Sequence, residues 1–512
     1  MKPQNKIVPF SGLPGILGLL RKKGKKVVHC HGTFDLLHPG HLVHFEEAKA
    51  RGDILVVTLT GEKFVNKGPG RPYFSDSLRA RSLAALSSVD LVSVVPHPHA
   101  KEAILAVRPS VYCKGREYAE KGKDTYGRID EDLATVRSVG GKVAFVGSVV
   151  FSTSKLLNDH FDNRSDQVKK FCQSIRRHTS ASDFQRQVDD FTSLRVLVVG
   201  DLIFDRYTSV AIQGLTSKNR IISGRFLDDD LQAGGSLAVF RHIQQFCPQT
   251  KILGIVGTEG WVGEFLRDKI GASQNLLVRG DAFTSIVKQR FVEPFSEGKE
   301  LSKLFSVNYL NEGEIGPDLE KKVLQALARE IPKADIVLVM DFGHGLMTEK
   351  VRRYVEKHAR LLAVNCQTNS NNFAFNILSR RDQRADIFAL DTMEICLAAG
   401  NRRIDFAQEL AVLRKKLKSR YGWLTRGGVE TIGIARDGTL AQCEALERTV
   451  LDTVGAGDAF ISVAALAAAR NLPLDLATLM GQLAGANAVR IVGNSRPISK
   501  SSVLKGGMSL LS

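Results

Sequence analysis

Between residues 25 and 158 short apolar runs alternate with amphipathic stretches. The runs at 26–29, 53–59, 89–95, 110–113 and 142–146 are rich in Val, Ile and Leu and show little polar alternation. Strands this continuously apolar need cover on both faces, so the pattern predicts a parallel sheet sandwiched by helices. Between 159 and 193 the composition turns polar, while Val168, Phe171, Ile175, Phe184 and Val188 recur at near-helical spacing. That stretch reads as a helical connector packing lightly between domains. A second alternating pattern follows, with apolar runs at 195–201, 335–341 and 423–428 and an apolar helix after residue 455. The predicted fold class is α/β in two domains. An N-terminal extension (1–24) precedes a first domain (25–158), a connector (159–193) and a second domain (194–512).

A chain of 512 residues exceeds what one hydrophobic core usually serves, and its 43% apolar and 24% charged content is that of globular proteins. The seven cysteines are scattered, with no C-x-x-C pair and no Cys/His cluster, which argues against a disulfide framework and a structural zinc site and favours a cytoplasmic location. The longest apolar helix, 459–469, is about half the length a bilayer requires. The mildly apolar stretch 7–20 has its charges, Arg21 to Lys26, behind it rather than ahead, the wrong polarity for a secretory signal. No membrane partner is expected. The net charge of +17 suits nucleic acid, anionic lipid or phosphorylated small molecules. Aromatic residues do not interleave with the basic clusters, so a field that gathers nucleotide and sugar phosphates is the economical reading, with no specific nucleic acid as partner.

The first stretch with chemistry is His31-Gly32-Thr33-Phe34-Asp35-Leu36-Leu37-His38-Pro39-Gly40-His41-Leu42. It lies where a strand hands over to a helix, and a helix start offers unpaired N–H groups to a phosphate while imidazoles donate to a triphosphate as it breaks. The bland alternative is a pair of satisfied histidines in a turn. The stretch resembles the signature of the HIGH-motif, cytidylyltransferase-like nucleotidyltransferases, which implies a Rossmann-like fold. The resemblance implies that His38 and His41 act on the triphosphate, that Gly32, Thr33 and Phe34 border the nucleotide, and that Asp35 borders the substrate. By the same resemblance Lys67, in the loop Asn66-Lys67-Gly68-Pro69-Gly70-Arg71, contacts the phosphates of both reactants, and Arg71 the substrate. Lys114, in Lys114-Gly115-Arg116-Glu117-Tyr118, flanks the nucleotide. Ser152, Thr153 and Ser154 match the family's hydroxyl-rich helix start that holds the outer phosphates. An N-cap is the plain alternative for Ser152 or Thr153, and capping and phosphate binding are compatible.

The second stretch is Asp452-Thr453-Val454-Gly455-Ala456-Gly457-Asp458-Ala459-Phe460. A glycine turn opening an apolar helix makes an anion cradle, and a carboxylate on its first turn can take a proton from a nearby hydroxyl. A helix-capping aspartate is the alternative. The run resembles the C-terminal signature of the ribokinase-like, or PfkB, carbohydrate kinases. That resemblance makes Asp458 the general base and Gly455, Ala456 and Gly457 the anion hole. It places Asp201, Asp205, Gly234 and Gly235 on the sugar and Thr425 and Gly427 near the nucleotide. Asp391 and Glu394 stand where the family carries N-x-x-E, a pair that holds Mg²⁺ through water, with Asp391 replacing the asparagine. Ala238 replaces a common sugar-binding asparagine, and His344 stands where heptose kinases of this kind carry lysine. The amide-rich run from Asn365 to Asn372 reads equally as pocket lining or as a turn-rich loop.

Together the two stretches resemble the bifunctional heptose 7-phosphate kinase and heptose 1-phosphate adenylyltransferase family, with the domain order reversed. The resemblance implies a product like ADP-heptose, ATP and Mg²⁺ as cofactors, sugar phosphates as substrates, and a homodimer. Three rival readings are a CTP-dependent transferase acting on a polyol phosphate, a C-terminal half that only senses sugar, and nucleic-acid binding, which rests only on charge and on Arg21 to Lys26.

Overall fold

In the computed structural model the chain divides into two units, 1–163 and 164–512. The structure describes residues 3–65, 71–115, 128–147, 165–271, 276–293, 302–447 and 449–512.

In the first unit the apolar runs become parallel strands β1 (Val27–Gly32), β2 (Ile54–Thr60), β3 (Leu91–Val95), β4 (Val111–Gly115) and β5 (Lys142–Val146), in the order β3-β2-β1-β4-β5 among the described residues. Both faces are covered, as the lack of polar alternation required. Val28, Cys30, Leu55 and Val57 pack with Phe45 and Leu83 in one cluster, whereas Val27, Val56 and Leu91 pack with Leu13 and Leu17 in another. The second cluster changes the reading of residues 1–24. Their helix Leu13–Lys22 closes one face of the sheet, and Val8 donates its N–H to the Val92 carbonyl at 2.9 Å. The chain leaves β1 toward β2 on one side and returns to β4 on the other, so a crevice forms where the carboxyl ends of β1 and β4 part.

The second unit begins earlier than the sequence suggested. Helices Asp166–Arg176 and Ala181–Asp189 are capped by Ser165 and Ser180 side chains, the latter in a reciprocal box with Asp183. Their apolar faces, Cys172, Ile175, Phe184 and Val188, are buried in the main core of that unit. Phe184 lies so close to Gly507 that a Cβ there would come within 2.2 Å of its ring. The stretch expected to pack lightly is thus part of the core, because an amphipathic stripe shows that a helix buries one face without showing against what.

Strands β6 (Val196–Gly200), β9 (Lys251–Leu253), β14 (Ile336–Asp341), β15 (Leu362–Cys366), β16 (Ile387–Asp391) and β17 (Tyr421–Thr425) are parallel; β18 (Glu430–Ala435) and β19 (Leu440–Glu444) add an antiparallel edge. Among the described residues this central sheet runs β19-β18-β17-β16-β15-β14-β6-β9. A second sheet combines long β7 (Leu202–Leu215) and β8 (Ile222–Gly235) with β12 (Ile286–Glu293) and β13 (Ser302–Tyr309), in the order β13-β12-β7-β8. Short β10 (Ile255–Val256) and β11 (Val278–Arg279) pair separately. The helix Ala456–Ala469 is buried around its circumference, which explains why all but Asp458 and Ser462 of its side chains are apolar or absent, and it packs on helix Leu474–Ala488. No helix of the described residues is long and apolar enough to cross a membrane.

Candidate functional site

At the carboxyl end of β1 the chain turns through Thr33 to Leu37 into helix Pro39–Lys49, with His38 as the residue before its first turn and Pro39 inside it. The His38 and His41 rings stack at 3.9 Å between centroids, and the Phe34 edge meets His41 at 5.4 Å. Phe34 adopts φ +46°, and a Cβ on Gly32 would come within 2.8 Å of its ring, so Gly32 lets the phenyl fold back under the histidine. The two histidines therefore share one helix start at the sheet's switch point, where an anion meets N–H groups and imidazoles together.

Asp35, expected beside the substrate, is held by the chain around it. Its buried carboxylate accepts the N–H groups of Tyr73 (2.8 Å) and Phe74 (3.1 Å) and sits 3.4 Å from Arg71, which stacks on Tyr73. Asp35 and Arg71 thus pin the segment after β2 to the histidine loop. Arg79, which sequence reasoning missed, completes the pin: 1% exposed, it donates to the carbonyls of Thr33 (2.6 Å) and Thr60 (3.0 Å). Its local partners, Asp76 and the Phe74 carbonyl, are those of an ordinary helix-surface arginine, and the contacts that bury it, at Thr33 and Thr60, are distant in sequence. Lys114, at the end of β4, pairs with Asp132 at 2.8 Å. Burial and this lysine push His31 down to about 3, so its ring is neutral and bonds Thr58 and Thr60. Lys67, Ser152, Thr153 and Ser154 lie outside the described residues.

In the second unit one cavity of about 390 Å³ gathers Thr425, Gly427, Asp391, Glu394, Gly455, Ala456, Gly457 and Asp458. Gly455 is the residue before the helix Ala456–Ala469, at φ +79°, and Asp458 lies on the first turn. Asp452 braces the turn: it accepts the N–H groups of Val454 (3.1 Å) and Gly493 (2.9 Å) and the Lys303 ammonium (2.7 Å). Asp458 is buried, and burial pushes its carboxyl up to about 6 against the pull of a hydrogen bond from Gln367. Burial, with Asp391 and then Asp458 as like-charged neighbours, pushes Glu394 up to about 8. Asp391 and Glu394 close a reciprocal capping box at the start of helix Thr392–Ala399. A wall on which Asp391 and Asp458 oppose the charge of Glu394 suits a hydrated divalent cation, whose charge removes that repulsion.

The expected sugar-side residues lie where β6, β7 and β8 meet. Asp201 is 2% exposed and its Oδ2 accepts the N–H groups of Phe342 (3.0 Å) and His344 (3.1 Å), so that oxygen secures the loop after β14. Burial and Asp341 push Asp201 up to about 7. Asp205 binds Arg290 at 2.5 Å. Gly234 is required by that carboxylate, for a Cβ would fall 2.1 Å from Asp205 Oδ2, and Gly235, at φ +52°, begins the next helix. Lys288 and Arg290, two residues apart on β12, bring cations to this polar face, and Lys288 senses Asp205, Asp201 and Asp458. Neither was singled out from sequence, because β12 reads as a mixed strand. Ala238 is buried in helix Ser236–Gln244. The amide-rich run is both turn and lining: Asn369 and Asn372 each donate to the Phe342 carbonyl at 2.8 Å, while Asn365, Gln367 and Thr368 line the cavity beside Asp458. Asn371, Asn372 and Asn376 line a second cavity of about 590 Å³ with His344 and Arg381.

Residues 29–174 match the cytidylyltransferase-like family and residues 408–500 the pfkB family of carbohydrate kinases. The chain carries a cytidylyltransferase-like domain ahead of a PfkB carbohydrate kinase domain. The curated relatives include the bifunctional protein HldE of Methylobacillus flagellatus, 41% identical over 133 residues, and that of Geobacter metallireducens, 36% identical over 143 residues. Those alignments cover 25% and 28% of this chain and the same shares of the relatives, so the match spans about a quarter of each relative's length. They fall on the N-terminal domain, which fits the reversed domain order. Among solved structures, a point mutant of phosphofructokinase-2 from Escherichia coli is 14% identical, with a TM-score of 0.50 over 62% of this chain and 99% of that one; this likeness speaks for the fold.

Proposed function

We propose that the chain is a bifunctional transferase whose PfkB domain phosphorylates a sugar phosphate and whose cytidylyltransferase-like domain joins a sugar 1-phosphate to a nucleotide, giving an activated sugar of the ADP-heptose type. The observation that carries the reading is Asp458 on the first turn of a helix that opens from the Gly455–Gly457 turn onto a cavity large enough for a nucleotide.

In the kinase half, the N–H groups of the glycine turn face the transferred phosphoryl and Asp458 takes the proton of the attacking sugar hydroxyl. A carboxyl near 6 is ionised at neutral pH yet basic enough to accept that proton. Mg²⁺, held through water by Asp391 and Glu394, supplies charge neutralisation to the phosphates. In the transferase half a substrate phosphate oxygen attacks the α-phosphorus of a nucleoside triphosphate and pyrophosphate leaves; no covalent enzyme intermediate is required, since the nucleophile is already an anion. His38 and His41 donate to the phosphate oxygens as charge builds on them, and Lys67, Lys114 and the hydroxyls of Ser152, Thr153 and Ser154 complete the cradle. Gly32, Thr33 and Phe34 border the nucleotide, with Asp35 and Arg71 fixing the wall beside it.

Incubating the full chain with ATP or CTP and a panel of sugar and polyol phosphates, with pyrophosphate as readout, tests the nucleotidyl half. Pyrophosphate release with ATP and a sugar 1-phosphate supports the reading. Release with CTP alone replaces it with a cytidylyltransferase.

A further inference from the structure

We propose that Gln367 is the positioning residue of the kinase half: its side-chain amide aims Asp458 at the acceptor and holds it in the ionised form. The inference rests on the reading of Asp458 as general base and adds a residue to it.

Gln367 Nε2 has two hydrogens and two acceptors, Asp458 Oδ1 at 2.7 Å and Asn365 Oδ1 at 2.9 Å. Turning the amide over would set its oxygen against both. Asn365 cannot turn over either, because its Nδ2 donates to the Ala389 carbonyl at 3.0 Å. Direction therefore passes from the backbone of β16, through Asn365 and Gln367, to one oxygen of Asp458. The backbone of Gln367 is held as well: its N–H donates to the Asp341 carbonyl (2.8 Å), and its carbonyl accepts from Asn376 Nδ2 (3.1 Å). Asn376 is 2% exposed. A side chain fixed at its backbone and at both amide hydrogens leaves Asp458 one bonded oxygen and one for a substrate hydroxyl.

The other groups acting on Asp458 divide in sign. Burial and Asp205 oppose its charge, whereas Lys288 favours it. An N–H donated to a carboxylate stabilises the ionised form. Removing the amide therefore leaves the opposition of burial and Asp205 with help from Lys288 alone, and Asp458 should ionise at higher pH.

Two measurements on the full chain decide the matter. The first is a ¹³C-carboxyl titration of labelled aspartate, with the Asp458 signal assigned by its loss in Asp458→Asn. In Gln367→Leu the Asp458 midpoint should rise by about one pH unit, and in Gln367→Glu, which sets a second carboxylate against it, by more. An unchanged midpoint in both variants overturns the proposal, whether or not the chain turns over any sugar. The second is ATP consumption in the presence of sugar phosphates as a function of pH. The acid limb of kcat/KM should move upward in Gln367→Leu, with the rate recovering toward wild type in alkali; a loss equal at every pH makes Gln367 merely structural and also overturns the proposal. If Asp458→Asn leaves ATP consumption intact, the base assignment fails while the titration still reports on Gln367.

Discussion

Gly455 faces Asn494 at a distance that admits no side chain: at φ +79°, a Cβ on residue 455 would come within 2.5 Å of Asn494 Oδ1. Asn494 is itself buried, and its N–H donates to Gln232 Oε1 at 2.7 Å, so it has little room to withdraw. Gly455→Ala should therefore distort the phosphate turn. The left-handed backbone alone costs about 1–2 kcal/mol for a residue with a Cβ. Sugar-dependent ADP formation should fall at least tenfold, and pyrophosphate release by the first domain should stay at the wild-type rate. Coupled assays for the two products check this.

Arg352 makes a stability prediction. It is 1% exposed and bridges Asp341 at 2.7 Å and Asp382 at 2.8 Å, both buried. Truncation leaves two buried carboxylates without their counter-charge, a class of change that costs about 3–5 kcal/mol. Arg352→Ala should lower the urea midpoint of the second unit, followed by Trp423 fluorescence, without moving the transition of the first. Arg352→Lys, with a single ammonium in place of the planar fork, should recover only part of the loss.

Glu394 predicts the sign of a pH effect. Burial, Asp391 and Asp458 raise its carboxyl from 4.5 to about 8. A group whose pKa is higher in the folded state stabilises the fold fully below its unfolded value, and that contribution is lost as pH rises through the folded one. Without divalent cation, the second unit should melt progressively lower as pH rises from about 4.5 to about 8. Glu394→Gln removes this group's share, so its melting temperature should change less over the same interval. Calorimetry of the full chain in chelator at several pH values measures the difference.

How much of this was legible in the sequence depended on whether a residue's partner lies next to it in the chain. The parallel strands could be read because Ile54 to Thr60 or Ile336 to Asp341 are almost wholly apolar, and the two glycine turns because their glycines and following helices are contiguous. The four-stranded sheet was not legible: β7 carries the buried Asp205 beside Arg206, and β8 carries the exposed run Asp228 to Asp230, so neither shows the alternation that marks a strand. Asp201 followed the sugar-contact pattern by position, yet its bonds to the N–H groups of Phe342 and His344 join residues more than a hundred apart. Arg79 was hidden for a like reason, and Gln367, though within the amide-rich run, could not be matched to Asp458, 91 residues on. Phe184 showed itself as a buried helix face, but its contact with Gly507 is a tertiary fact.

The central claim is that two phosphate-transfer sites, one at His38 and His41 and one at Asp458, work in one chain. Its most direct test crosses two variants, His41→Ala and Asp458→Asn, with two products, pyrophosphate and ADP, scored separately over a panel of sugar phosphates. Removing a single donor to developing phosphate charge usually costs about 10²–10³ in rate. The account predicts that His41→Ala loses pyrophosphate release on that scale and keeps ADP formation, and that Asp458→Asn does the reverse. Equal loss of both products in either variant, or undiminished ADP formation in Asp458→Asn, would contradict it.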